Sequence, residues 1–111
     1  MGSFIKNIMQ GEVLGLEKQV EYLPGQIVSK TLTQNDHHSM TLFAFEEGEE
    51  ISTHASGGDA LVTVLDGIGR ITIEDEAHVV YAGESIVMPA GKPHAVYAQS
   101  RFKMLLTVIF D

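Results

Sequence analysis

The chain has 111 residues and a mass of 12.1 kDa, enough for one domain around one core and too little for two. It contains no cysteine, which excludes a disulfide framework and any thiolate centre, and leads us to expect only nitrogen and oxygen ligands for a metal. Seven Lys plus Arg against fifteen Asp plus Glu leave a net charge of -8, the wrong sign for gripping nucleic acid or an anionic membrane.

The opening "MGSFIKNIMQ" lacks the long apolar core of a signal peptide, and its first three residues read as an expression remnant. "MLLTVIF", near the C-terminus, is far short of the roughly 18 apolar residues of a membrane span. A cytoplasmic protein is expected, with neither nucleic acid nor membrane as partner. Residues 1–25 form the less regular part, with Gly11, Gly15 and a Pro24-Gly25 turn signal; a short helical turn or an edge strand fits there. This segment is expected to pack on the domain formed by residues 26–111 or on a dimer partner.

From Gln26 the texture changes to short β-branched runs: "QIVSKTLTQ", "SMTLFAFEE", "ALVTVLDG", "GRITIED", "HVVYAGESIVMPA", "HAVYAQS" and "FKMLLTVIF". No segment keeps a 3.6-residue period, and "EEGEE", "LDGIG" and "EDEA" read as turns between strands. Closely spaced strands without helical crossovers predict an all-β antiparallel sandwich or barrel. In "GRITIED", Ile71 and Ile73 alternate with Arg70, Thr72 and Glu74, as one buried face requires. In "FKMLLTVIF", Phe102, Met104, Leu106, Val108 and Phe110 occupy one face, and Leu105 and Ile109 the other. The second face calls for cover, from a second copy in a homodimer or from residues 1–25 folded back.

Two stretches carry a motif. The first has Gly48, five residues, then His54, Ala55, Ser56, and ends at Gly67. The second has Gly83, "ESIVM", Pro89, Ala90, Gly91, "KP", His94, and Ala98 further on. In spacing and in "PAGKPH" the chain resembles the cupin superfamily, in particular its small single-domain microbial members. The resemblance implies a jelly-roll β-barrel, with Gly48, Gly67, Gly83 and Gly91 in turns and Pro89 at a strand end.

Most cupins hold a divalent metal with two histidines and a glutamate of the first motif and one histidine of the second. Carried over position by position, His54 and His94 remain as candidate metal ligands, for Zn, Ni, Fe or Mn. Ser56 stands in place of the second histidine and Ala60 in place of the glutamate. Asp59, one residue earlier, is a substitute if "SGGD" is still turn, because one step along a strand reverses the side chain. Ser56, Asp59, Met88 and Phe43 are the candidate ligand-contacting residues, with Phe45 and Met104 as further wall. His37 and His38 read as loop histidines and His78 as a surface residue.

Three functions follow. The first is a binding barrel whose pocket takes a small molecule against His54 and His94, with or without one divalent metal. The second is a metal-dependent dioxygenase, isomerase or decarboxylase acting on a small organic substrate. The third is metal-free acid–base chemistry of the epimerase type, with His54 or His94 as base, Asp59 orienting it, and Tyr81 or Tyr97 as acid. Whether the chain is an enzyme, and which residues would be catalytic, is left open at this level.

Overall fold

The computed structural model describes residues 4–111, so Met1–Ser3, read above as an expression remnant, lie outside the described residues. Apart from one turn of 3-10 helix at Leu16–Lys18, all regular structure is β, in seven strands. They are β1 (Ile27–Gln34), β2 (His38–Phe45), β3 (Glu50–His54), β4 (Asp59–Ile73), β5 (Glu76–Tyr81), β6 (Ser85–Met88) and β7 (His94–Ile109). Every pairing is antiparallel, in the order β1-β2-β7-β4-β5, with β3 on β7 and β6 on β4. No described helix is long and apolar enough to cross a membrane.

Two long strands replace four expected short ones. "ALVTVL" and "GRITIED" form one continuous β4, and "HAVYAQS" and "FKMLLTVIF" one continuous β7. The expected turn "LDGIG" is instead a bulged stretch inside β4, where the β7 register shifts between Val64 and Asp66 and again between Gly67 and Gly69. The reason lies at Gly67, which has φ +73° and sits so close to β7 that a Cβ would stand 1.8 Å from the Arg101 carbonyl oxygen. Bulged residues bend and twist a strand without reversing it, which lets β4 pair with β7 along both halves. Gly48, Gly83 and Gly91 do lie in turns. β3, which ends at His54, was not among the expected strands.

Alternation sets the core. Ala60, Val62 and Val64 of β4 and Val96, Ala98, Phe102, Met104 and Val108 of β7 point inward and are buried. Phe102 stacks on Phe45 with ring centroids 4.6 Å apart. Phe110, expected on the same face, lies past the strand end and is exposed.

A second apolar cluster forms on the outer face. Val20, Leu32, Leu42 and Ala44 are buried there, with Ile8, Leu16, Tyr22 and Leu105 packed around them. The Tyr22 hydroxyl donates to Asp66 Oδ2 at 2.5 Å, and Arg101 and Lys103 lie 5.0 and 4.8 Å from its ring centre. Burial, the Asp66 hydrogen bond and the Asp66 charge all push the Tyr22 phenol above its ordinary pKa. Leu61, Val87 and Ile109 on the outer face remain exposed.

Candidate functional site

His54 closes β3 and His94 opens β7, and the two are direct cross-strand partners. They meet because of a bulge. From Ile51 to His54 is three residues, while their partners Val96 and His94 are two apart, so β3 carries one extra residue. That extra residue restores His54 to the inward face that Ile51 occupies. The Nε2 atoms then approach to 3.2 Å, with the rings at 78°.

Proton positions follow from the partners. His54 Nδ1 lies 2.9 Å from the Ser52 carbonyl oxygen, which only accepts, so Nδ1 carries the hydrogen. With both rings neutral, His54 Nε2 is a lone pair and His94 Nε2–H donates to it. His94 Nδ1 is buried and makes no hydrogen bond of ordinary length. Whereas His54 sits exposed on the rim, His94 is 2% exposed. Burial, and secondly the charge of His54, lower the His94 pKa below the ordinary 6.5, against the opposing pull of the Lys92 backbone carbonyl.

One expectation arises here. An unfolded histidine titrates near 6.5 and folded His94 below it, so on acidification the unfolded chain takes up its proton first. The contribution of His94 to stability is therefore complete above about pH 6.5 and lost as pH falls through the folded value. The unfolding midpoint should fall more steeply below pH 6.5 in the native protein than in His94→Leu; equal profiles would refute the assignment.

The histidines line a cavity of about 250 Å³, whose other walls include Ile51, Ala60, Met88, Val96, Met104 and Leu106. Ser56 also lines it, and its hydroxyl accepts from Gly58 N at 3.2 Å. Asp59 does not line it. Ala60 takes the inward position, which sends Asp59 outward, where its carboxylate accepts from Ala90 N at 2.8 Å. Together with the bond from Gly91 N to the Ser56 carbonyl at 2.9 Å, this ties the loop after β3 to the loop before β7.

Phe43 packs on the core beside Phe45, with ring centroids 5.9 Å apart, and is not part of the cavity wall. Tyr81 and Tyr97 lie elsewhere too: Tyr81 is exposed and Tyr97 carries Arg70 over its ring at 4.5 Å. His38 begins β2, its Nε2 3.2 Å from Asn35 Nδ2, and His37 is exposed. His78 is half-buried, on the same side of β5 as buried Val80, because Val79 and Tyr81 take the outward positions. A second hollow, of about 370 Å³ between Phe4, Ile8 and Met9, contains no ionisable side chain.

Comparison with known proteins agrees with this architecture. The family model of the cupin domain matches residues 41–110, well over half of the chain. The chain belongs to the cupin superfamily. A conserved protein of unknown function from Streptococcus pyogenes is 44% identical, with 99% of this cupin and 96% of that chain covered and a TM-score of 0.97. A cupin superfamily protein from Desulfitobacterium hafniense is 33% identical over 98% of this cupin and 100% of that chain, with a TM-score of 0.93. A cupin 2 conserved barrel domain protein from Leptotrichia buccalis is 44% identical, and 86% of this cupin covers 47% of it, at a TM-score of 0.84. No curated protein matches.

The four-ligand set of most cupins is not assembled here. Among the described residues no three His, Cys, Asp or Glu side chains converge, and Asp59 is turned away and engaged with Ala90. What this cupin retains of the set is the His54–His94 pair.

Proposed function

We propose that this cupin is a binding barrel for a compact, largely apolar molecule that carries one hydroxyl, enol or carboxylic acid group. The observation that carries the reading is the meeting of the two Nε2 edges in the wall of a cavity whose remaining lining, Ser56 apart, is apolar. A neutral imidazole pair offers one N–H and one lone pair. A hydroxyl placed between them accepts from the first and donates to the second, replacing their mutual hydrogen bond with two. Aliphatic walls bind the remainder of the ligand by burial, and about 250 Å³ lies below the common range for drug-sized ligands, which restricts it to small ones. Catalysis of the epimerase type is less favoured, because no tyrosine lines the cavity and Asp59 is engaged elsewhere.

The test is a thermal-shift screen of small aliphatic alcohols, phenols and carboxylic acids on metal-free protein, followed by calorimetry. At a hundred times Kd, a true ligand stabilises the fold by about 2.7 kcal/mol. Binding should be lost in His54→Ala and His94→Leu. Shifts that persist in both variants would locate the ligand elsewhere, and the absence of any shift across the screen would reject the reading.

A further inference from the structure

The wall of the cavity grades from exposed to buried. His54 and Ala55 are exposed and Ser56 is half-buried, whereas Ala60, Met88, His94, Val96 and Met104 are at most 2% exposed. Solvent therefore reaches the cavity from the loop that joins β3 to β4. Ala55 and Ser56 belong to that loop, while every other lining residue among those described sits in β3, β4, β6 or β7. A strand residue moves only when ladder hydrogen bonds break, so the loop is where the wall opens at least cost.

Hydrogen bonds hold the loop in place. The Ser56 carbonyl accepts from Gly91 N at 2.9 Å, and Ser56 Oγ from Gly58 N at 3.2 Å. Gly91 is itself fixed from one residue away. The Asp59 carboxylate accepts from Ala90 N at 2.8 Å, which ties the turn closed by Lys92 N and the Pro89 carbonyl to the start of β4. Gly58 is pressed against β7, since a Cβ there would stand 2.4 Å from the Ile109 carbonyl oxygen. At Gly57 an added Cβ would meet nothing within 4 Å, so this residue is free to act as the hinge.

We propose that Ala55–Gly57 is the gate of the cavity and that Asp59 is its latch, a positioning residue acting through Ala90 and Gly91. The inference deepens the reading of the cavity as a binding site and takes its purpose from that reading. When the gate swings, Ser56 loses the Gly91 amide, and Asp59 is the side chain that places this amide. A carboxylate on a backbone amide makes a charge-assisted bond, but here a single one at the surface, which opens and recloses without unfolding the barrel. A ligand enters and leaves through the same opening, so the latch governs both rates rather than the affinity.

The experiment uses the full-length protein, which has no cysteine, so that one introduced thiol reports on one place. Val96→Cys puts the thiol on the buried wall of the cavity, and Met88→Cys is a second reporter there. Val64→Cys puts it in the core, away from the cavity wall. Each variant is labelled with iodoacetamide at urea concentrations below the unfolding transition. The cavity thiols should label at a rate that urea hardly changes, the mark of a local opening, and at least about tenfold faster than Val64→Cys, whose labelling requires global unfolding and rises steeply with urea. Adding Asp59→Ala to Val96→Cys should speed labelling about fivefold, the effect of one hydrogen bond. Asp59→Asn, whose side-chain carbonyl still accepts from Ala90 N, should stay within about twofold of the parent. A purely structural role for Asp59 would shift the urea midpoint and leave the urea-independent rate alone. Cavity thiols labelled no faster than Val64→Cys, labelling as fast as in the unfolded chain, or a rate that Asp59→Ala does not change would each overturn the inference. No ligand is needed for this test. Gated labelling in a protein that binds nothing in the thermal-shift screen leaves this inference standing and rejects the binding reading; ligand binding with ungated labelling gives the reverse.

Discussion

Gly67→Ala is expected to destabilise the barrel by about 4 kcal/mol or more, a loss in the class that single substitutions reach only through a specific structural failure. Two penalties combine. At φ +73° a side chain costs about 1–2 kcal/mol by itself. The new methyl would also sit 1.8 Å from the Arg101 carbonyl oxygen and 2.8 Å from Phe102 Cα, and both are backbone atoms that no rotamer change can move. β4 and β7 would have to separate where they are bulged together. Gly48→Ala is the control: its φ is +84°, but nothing lies within 4 Å of the added carbon, so only the dihedral cost of about 1–2 kcal/mol applies. Urea denaturation of the two variants decides the matter. Equal losses would mean that the close approach of β4 and β7 at Gly67 does not hold the fold together.

Phe102→Ala is expected to cost about 3–5 kcal/mol. The ring is fully buried, stacks on Phe45 at 4.6 Å and 22°, and lies over Gly69, where a Cβ would meet it at 2.7 Å. Removing it leaves a void that the surrounding strands close only in part, so the loss includes a cavity cost beyond the transfer of the ring. Domains of this size are stable by about 5–15 kcal/mol, which makes Phe102→Ala marginal at 37 °C. Phe102→Leu should recover at least half of the difference. A loss below about 1 kcal/mol in Phe102→Ala would show that the ring is not packed in the core.

Much of this molecule is legible in one dimension. Period-two alternation in "GRITIED" and "FKMLLTVIF" depends only on which side of a pleat each residue occupies, and Ile71, Phe102, Met104 and Val108 are buried as that alternation requires. The spacing around Gly48, His54, Gly83, Pro89 and His94 carries the family, and the lack of cysteine and the charge of -8 narrow the chemistry before any coordinate is known. The pairing of His54 with His94 was also within reach, since both lie at motif positions.

Other features depended on neighbours distant in sequence. Whether "LDGIG" turns or bends depends on a β7 backbone more than thirty residues away, and the glycines permit both. The orientation of His54 depends on a bulge that only pairing with β7 defines, and that of Asp59 on the Ala90 amide it accepts from. Local propensity and alternation act between adjacent residues and are written into the sequence itself; register, bulges and the meeting of His54 with His94 beside the cavity are set by the packing of strands against one another, and only the folded barrel decided them.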